Sequence, residues 1–249
     1  MHRLRAYLFA DPAIVLSTIF FGTISIVASL FDRSGDTLIR AARTWARSLL
    51  AIGGVHVHVE GLDQLSPGGS YVLIANHLSY MDTPVVLANI PVQFRFLAKK
   101  GLFQIPFLGT HLSQAGHIPV PREDPRASVR TMQLAAETIQ KRKVSLLIFP
   151  EGGRSHDSVL QPFKEGAAYI AIRAGVPAVP VAILGTQRIL PFGSGVVVPG
   201  RVTLRILPPI NTSELTLKDR GNLTDRVRAL IAHELDQAST AQVAQKSNF

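Results

Sequence analysis

The fold class follows from residues 71–84, which read Tyr-Val-Leu-Ile-Ala-Asn-His-Leu-Ser-Tyr-Met-Asp-Thr-Pro. The apolar run Tyr71–Ala75 is typical of a fully buried strand, and a polar loop follows it directly. Pro84 suits the first turn of a helix, so the loop between strand and helix contains His77 and Asp82. A strand, a short polar loop and a helix are the repeating unit of α/β domains, whose sheets present functional groups where their strands end.

The same alternation of strands and helices continues through most of the chain. The clearest helix follows Asp124 and Pro125, an N-cap residue and a first-position proline, and it is expected to end at the basic residues 141–143. A second helix is predicted over 223–235. We therefore expect an α/β fold with a mostly parallel sheet flanked by helices. The other predicted strands are Val55–Val59, Val144–Phe149, Ala178–Leu184 and Val202–Leu207.

An uncharged segment near the N-terminus is long enough to enter a membrane. Residues 12–31 contain no charged side chain and, as a helix, would reach about the 30 Å of a bilayer core. A cleaved signal peptide usually has an apolar region of only about 7–15 residues, so we expect the segment to be retained. The alternative is a buried hairpin helix of a soluble protein. Small or weakly polar residues that favour close helix packing lie on one helical face: Thr18, Gly22, Ser25 and Ser29.

A second amphipathic helix is predicted after the turn at Ser34 and Gly35. Its apolar residues repeat at helical spacing, and three arginines share another face, which is typical of a helix lying on anionic lipid. We therefore expect an N-terminal hydrophobic helical hairpin that acts as a membrane anchor. Basic residues flank the uncharged segment on both sides, and the positive-inside rule places both of its ends on the cytoplasmic side. A helix that dips into one leaflet without crossing the bilayer would satisfy this. The apolar residues are Leu38, Ala42, Trp45 and Leu49, and the arginines are Arg40, Arg43 and Arg47.

The amino-acid composition excludes several classes of protein and favours one kind of binding partner. Of 249 residues, 47% are hydrophobic and 17% are charged, which excludes a disordered or collagen-like chain. A net charge of +9 favours anionic partners. The absence of cysteine excludes disulfides, thiolate nucleophiles and Cys-ligated zinc. We divide the chain into the membrane-associated hairpin 1–52, a catalytic-size domain 53–237 and a polar tail 238–249 that is expected to fray.

His77 and Asp82 are candidates for a general-base pair. Histidine titrates near neutral pH, and an aspartate that accepts its other ring N–H fixes the tautomer and stabilises the imidazolium. In a continuous helix the five-residue offset would rotate Asp82 about 140° away from His77. The two side chains can therefore meet only if the chain turns between them, as Pro84 indicates.

These residues resemble the first motif of the lysophospholipid and glycerol-3-phosphate acyltransferases, Asn-His followed by four residues and Asp. Three further stretches resemble the family's later motifs in the same order, and 98–109 is similar to its connecting stretch. The resemblance covers about residues 50–210. Two positions depart from the family's usual pattern: Gly153 stands where Thr is common, and Pro121 stands where Asp is common. The three later stretches are 116–122, 149–155 (Phe-Pro-Glu-Gly-Gly-Arg-Ser) and 176–183.

The resemblance also implies roles for the residues that would bind a lysophospholipid. Arg122, Arg154 and Lys99 would bind its phosphate, and Glu151 and Gly152 would line the glycerol site. The two arginines support the phosphate-binding role by their own chemistry, because a planar guanidinium can donate two parallel hydrogen bonds to one phosphate.

A basic stretch supports the same interpretation. The segment from Thr83 to Arg122 contains no carboxylate, but it contains the basic residues Arg95, Lys99 and Lys100. This excess of positive charge favours binding of an anion.

The implied reaction is direct acyl transfer from a thioester of coenzyme A or acyl carrier protein to the free sn-2 hydroxyl of 1-acylglycerol 3-phosphate, giving phosphatidate. Neither a cofactor nor a metal is expected. The expected partners are the lysophospholipid, the acyl donor and an anionic membrane surface, with the active site on the cytoplasmic face of a bacterial inner membrane. Nucleic acid is not expected, because the sequence shows no aromatic stacking patch. The alternatives are the same chemistry on another lysolipid and a non-catalytic lipid-binding protein.

Overall fold

A computed structural model describes residues 2–32, 35–121, 124–154 and 159–247. Its seven strands are β1 (Val55–Glu60), β2 (Val72–Ala75), β3 (Phe94–Lys99), β4 (Ile118–Val120), β5 (Ser145–Ile148), β6 (Ala178–Leu184) and β7 (Gly200–Ile206). They form one sheet in the order β1-β7-β6-β2-β5-β3-β4. All neighbouring strands run parallel except β6 and β7, which are antiparallel. The predicted α/β fold with a mostly parallel sheet is confirmed, and the five predicted strands match to within two residues at each end.

The helices are α1 (His2–Arg5), α2 (Asp11–Ser29), α3 (Asp36–Gly53), α4 (Asp82–Asn89), α5 (Leu108–Gln114), α6 (Pro125–Arg142), α7 (Gly166–Ala174), α8 (Thr186–Ile189) and α9 (Arg220–Ser247). A π-helical turn, Ala6–Ala10, joins α1 to α2, and short 3₁₀ turns cover Leu62–Gln64, Lys100–Gln104 and Leu217–Asp219. The Asp124 side chain caps α6, as predicted, by accepting the N–H groups of Arg126 and Ala127. Residues 238–247, where a frayed tail is expected, continue α9, because no glycine or proline follows Gly221.

Two apolar layers cover the sheet, because successive strand residues point to opposite faces. On one face, Leu73 and Phe94 pack in a cluster with residues of α3 and α4. On the other face, Ile74 packs in a second cluster with residues of α6, α7 and α9. With both faces covered, functional side chains are left to the loops at the ends of the strands.

The predicted N-terminal helical hairpin is formed by α2 and α3. Ser17 Oγ lies 2.7 Å from Ser48 Oγ, and the Trp45 indole N–H donates to Thr18 Oγ1 at 3.1 Å. The helical segment Ala6–Ser29 is long and apolar enough to cross a bilayer, with a mean hydropathy of 1.9 and only 6% of its most apolar window buried.

Two details of the small-residue face of α2 differ from the prediction. A side chain at Gly22 would meet nothing within 4 Å, so the expected close helix packing at this glycine was wrong. Ser25 contacts α5 instead of α3, since its hydroxyl lies 2.5 Å from His111 Nδ1. The apolar helix is therefore held by α3 of the hairpin and by α5 of the domain that follows it.

The prediction that the arginine face of α3 lies on lipid was wrong for Arg43, which is half-buried, whereas Arg47 is exposed and its contact with lipid stays a prediction. Arg43 donates to the carbonyls of Ile90 and Val92 at 2.9 and 2.6 Å, and Arg47 donates to the carbonyl of Ala88 at 3.4 Å. Carbonyl groups at the end of a helix lack intrahelical partners and attract cations. Burial, with the nearby charges of Arg47 and Arg95, lowers the pKa of Arg43. These arginines thus attach α3 to the end of α4.

The sequence did not predict β3 and β4, and Arg95 of β3 was misinterpreted. Arg95 is fully buried, and its Nη2 donates to Asp36 Oδ1 at 2.8 Å. Burial lowers the pKa of Arg95, while the bond to Asp36 opposes that shift. The prediction that Arg95 belongs to an anion-binding field was wrong, because Arg95 is buried and its charge is paired with Asp36, whose side chain is half-exposed.

Candidate active site

His77 and Asp82 meet at the carboxyl end of β2. The loop after the strand turns as expected and brings His77 Nδ1 to 2.9 Å from Asp82 Oδ2. The Asp82 side chain is fully buried, whereas 17% of the His77 side chain is exposed. Because a carboxylate can only accept, Nδ1 carries the hydrogen and Nε2 of the neutral ring is the acceptor. The imidazole is therefore oriented with its basic nitrogen away from Asp82.

Two further donors fix the Asp82 carboxylate. The Ser79 backbone N–H donates to Oδ2 at 2.8 Å, and the Thr186 hydroxyl donates to Oδ1 at 2.5 Å. A buried carboxylate needs such partners, since an uncompensated charge is costly in the interior. Thr186 begins α8, so the general-base pair also depends on a distant part of the chain.

The first residues of the loop are fastened to the strands on both sides of β2. The buried Asn76 side chain donates to the Ile183 carbonyl at 2.9 Å and accepts the Ile183 N–H at 2.8 Å, which mimics a strand pairing with β6. The His77 N–H donates to Glu151 Oε1 at 2.5 Å, and Glu151 follows β5. Because β2 lies between β5 and β6, these contacts hold the histidine backbone from two directions.

An aromatic ring covers one face of the histidine. The Phe149 ring stacks on the His77 imidazole with centroids 4.1 Å apart and an interplanar angle of 16°. Phe96 lies next to Phe149, with centroids 6.3 Å apart. This packing restricts the imidazole to rotation in its own plane, where Asp82 then fixes its direction.

The guanidinium of Arg154 lies in the same loop region. Its central carbon is 3.1 Å from the centroid of the Tyr80 ring and 5.4 Å from that of Phe192. The strands β2, β5 and β3 are adjacent and parallel, so the edge where they end carries His77, Arg154 and Lys99 together. The arrangement provides a base beside cationic side chains.

A family model described as Acyltransferase matches residues 56–184, just over half of the chain. The chain belongs to this acyltransferase family. The match includes both members of the general-base pair, the segment 149–154 and Lys99. All the candidate site residues predicted from the sequence thus lie within the matched range.

Relatives include proteins of plants, yeast and mammals. The chain is 36% identical over 200 residues to the chloroplastic 1-acyl-sn-glycerol-3-phosphate acyltransferase BAT2 of Brassica napus, covering 80% of this chain and 56% of the relative. It is 32% identical over 212 residues to the 1-acyl-sn-glycerol-3-phosphate acyltransferase of Saccharomyces cerevisiae, covering 84% and 70%. The chain spans only 53–58% of the length of the four plant relatives that it matches.

A solved structure shares the fold over nearly the whole chain. The crystal structure of the 1-acyl-sn-glycerophosphate acyltransferase PlsC from Thermotoga maritima superposes with a TM-score of 0.81. The alignment covers 96% of this chain and 98% of the other, at 24% sequence identity. The similarity therefore extends to the helical hairpin as well as to the acyltransferase domain.

The Glu151 carboxylate accepts hydrogen bonds from two loops of the site. Both carboxylate oxygens are occupied by backbone groups, Oε1 by the His77 N–H and Oε2 by the Gln161 N–H at 3.0 Å. Burial raises the pKa of Glu151, and these two hydrogen bonds oppose the shift. Glu151 thus joins the loops after β2 and β5, and its contact with glycerol stays a prediction.

The turn at Gly152 lies beside a cation that sequence reasoning missed. Gly152 has φ +76°, which favours glycine, and a Cβ there would lie 3.0 Å from Lys164 Nζ. Lys164 is exposed, and its backbone N–H donates to the Pro150 carbonyl at 3.0 Å. No motif marks this lysine, because its position follows from the path of the chain after 159.

Two other residues predicted for the phosphate site remain, Lys99 and Arg122. Lys99 is exposed at the end of β3, and Arg122 lies outside the described residues. Within the described ranges, no three His, Cys, Asp or Glu side chains are grouped so that they could hold a metal ion. Sequence reasoning also missed the contacts of Phe149, Thr186, Tyr80 and Phe192.

Proposed function

We propose that the chain transfers an acyl group from an acyl thioester to the free sn-2 hydroxyl of 1-acylglycerol 3-phosphate and so forms phosphatidate. The names of the relatives support this acceptor. The observation that carries the proposal is the oriented pair of His77 and Asp82, which lies at the same end of the sheet as Arg154 and Lys99. A general base next to phosphate-binding groups is what activation of a hydroxyl on a phosphorylated lipid requires.

In the proposed mechanism, His77 Nε2 takes the proton of the acceptor hydroxyl while that oxygen attacks the thioester carbonyl. The resulting tetrahedral intermediate collapses, the carbon–sulfur bond breaks, and the imidazolium returns the proton to the thiolate. The products are phosphatidate and a free thiol. Asp82 stabilises the imidazolium between these steps, and no acyl-enzyme forms.

The phosphate of the acceptor is proposed to bind to Arg154 and Lys99, with Arg122 as a third cation from the sequence. Lys164 adds a further ammonium group beside Gly152. A phosphomonoester carries nearly two negative charges at neutral pH, so several cations are appropriate. Holding the phosphate would place the glycerol hydroxyl near His77, which accelerates the reaction by orientation.

The helical hairpin is proposed to lie in one membrane leaflet. Near one end of the apolar helix, Arg5 donates to the Ile52 carbonyl at 3.0 Å, and near the other end Ser25 contacts His111 of α5. Ile52 lies at the end of α3, directly before β1, so both ends of the apolar helix are held close to the acyltransferase domain, and the helix cannot cross the bilayer without drawing that domain into it. Apolar side chains on the free side are strongly exposed, including Leu8, Phe9, Leu16, Ile19, Phe20 and Phe31.

Basic residues flank both ends of this helix, which favours the cytoplasmic side of the membrane for the active site, and we place the chain in a bacterial inner membrane.

The test is transfer of a labelled acyl chain by the detergent-purified protein, with acyl-CoA and acyl carrier protein as alternative donors. Lysophosphatidate, lysophosphatidylethanolamine and a lyso-aminolipid serve as acceptors. We expect transfer to lysophosphatidate to exceed transfer to either other acceptor. Preferred transfer to another lysolipid would replace the proposed acceptor. Lipid binding with no transfer from either donor would indicate a non-catalytic lipid-binding protein.

A further inference from the structure

Arg154 has no hydrogen-bond partner among the residues that the structure describes, although it is half-buried. Its Nη1 is fully shielded from solvent and unpaired. Three other arginines also have one buried unpaired nitrogen, but each of them donates through another nitrogen: Arg5, Arg43 and Arg95. A shielded guanidinium nitrogen without a hydrogen-bond acceptor is unfavourable unless an anion binds to it. Arg154 is thus held ready for a ligand.

Within the described residues, the guanidinium of Arg154 contacts two aromatic rings instead of hydrogen-bonding groups. The Tyr80 ring lies 3.1 Å from its central carbon, and the Phe192 ring lies at 5.4 Å. Such cation–π contacts engage the flat face of a guanidinium and leave the N–H groups at its edge free for hydrogen bonds. Tyr80 is 62% exposed and Phe192 is 41% exposed, so neither ring is required for the apolar core.

The two rings belong to segments that are tied to the general-base pair. The Ser79 hydroxyl donates to the carbonyl of Leu190, two residues before Phe192, at 2.9 Å. The Ser79 N–H donates to Asp82 Oδ2 at 2.8 Å. Tyr80 therefore lies in a turn whose two ends, Ser79 and Asp82, are joined by this hydrogen bond. One loop therefore determines both the direction of His77 and the position of the ring under Arg154.

We propose that Tyr80 and Phe192 are positioning residues that hold Arg154 by its flat face, so that its N–H edge binds the phosphomonoester of the acceptor at a fixed distance from His77. The inference rests on the proposed function. It assigns to two exposed aromatic residues a role in acceptor affinity that neither the motifs nor the family match attributes to them.

The first test compares Tyr80→Leu with Tyr80→Phe. Loss of the ring in Tyr80→Leu is expected to raise the KM for lysophosphatidate about three- to thirtyfold, with kcat and the KM for the thioester little changed. Tyr80→Phe keeps the ring and should remain within about twofold of wild type. A fall in kcat with unchanged acceptor KM, or a Tyr80→Phe variant as poor as Tyr80→Leu, would overturn the inference.

A double-mutant cycle separates action through Arg154 from a general effect on the loop. In an Arg154→Gln background, Tyr80→Leu should raise the acceptor KM by less than about twofold, because the partner of the ring is gone. An equal effect of Tyr80→Leu in both backgrounds contradicts the proposal. Arg173→Gln, at an exposed arginine at the end of α7, is the matched control for loss of one positive charge.

A binding measurement distinguishes failure of this inference from failure of the proposed function. Lysophosphatidate in detergent micelles is titrated into the protein by isothermal calorimetry, without any acyl donor. Weaker binding by Tyr80→Leu and by Arg154→Gln supports the inference even if wild type transfers no acyl group. Unchanged binding by Tyr80→Leu rejects it even if wild type is an active acyltransferase.

Discussion

Replacing Asp82 by Asn should separate the charge of the carboxylate from its shape. The carboxylate accepts hydrogen bonds from His77 Nδ1, the Ser79 N–H and the Thr186 hydroxyl. If the asparagine oxygen faces His77 and Ser79, its NH₂ group points to Thr186, whose hydroxyl can rotate and accept. The loop can therefore keep its conformation while the negative charge beside the imidazole disappears.

The magnitude follows from the distance between the two groups. At the 2.9 Å between Nδ1 and Oδ2, two unit charges attract by about 6 kcal/mol at an effective dielectric constant of about 20. The charges are spread over the ring and the carboxylate, so their centres are about 4.5 Å apart and the attraction is about 4 kcal/mol. Only part of this develops in the transition state. We expect kcat to fall about 10²–10³-fold.

The assay is the initial rate of acyl transfer to lysophosphatidate at saturating thioester, with circular dichroism to verify the fold. Asp63→Asn, at an exposed aspartate, is the matched control and should retain the wild-type rate. A folded Asp82→Asn protein whose kcat lies within about threefold of wild type would refute the assigned role of the carboxylate.

Three further predictions concern the surroundings of the pair. Phe149→Leu removes the ring stacked on His77, so kcat should fall about 2–10-fold with acceptor KM unchanged; an altered KM alone would argue against an effect through the histidine. Asn76→Ala leaves the Ile183 N–H and carbonyl unpaired, so urea titration in micelles should show a free energy of unfolding lower by about 2–4 kcal/mol; a loss below about 1 kcal/mol contradicts this. Burial lowers the pKa of His117 to about 3, so the unfolded chain binds a proton first as the pH falls below about 6.5. The free energy of unfolding should therefore decrease by about 1.4 kcal/mol per pH unit from there toward pH 3, and His117→Gln should lack this component; equal pH slopes for both proteins would disprove it.

The parts of the fold that the sequence could predict are those with a local signal. Strands such as β6 are uniform apolar runs, and Asp124 marks the start of α6 by a capping residue next to a proline. By contrast, β4 has three residues and contains Pro119, so no periodicity can develop. Arg95 makes β3 look half-exposed, because its partner Asp36 lies 59 residues earlier in the chain.

The same distinction applies to the site. His77 and Asp82 lie in one loop, so their spacing and the nearby proline were sufficient to predict that they meet. Thr186 is 104 residues from Asp82, and Phe149 reaches His77 only because β5 is the neighbour of β2 in the sheet. The strand order that creates these contacts depends on packing of the whole domain and leaves no local pattern in the sequence.

The measurement that tests the central claim most directly is the rate of acyl transfer to lysophosphatidate by His77→Ala relative to wild type. His233→Ala, at an exposed histidine of α9, is the matched control. The account predicts that His77→Ala folds normally, binds lysophosphatidate as wild type does and loses at least about 10² in kcat, while His233→Ala keeps its rate. A His77→Ala protein as active as wild type would contradict the general-base mechanism.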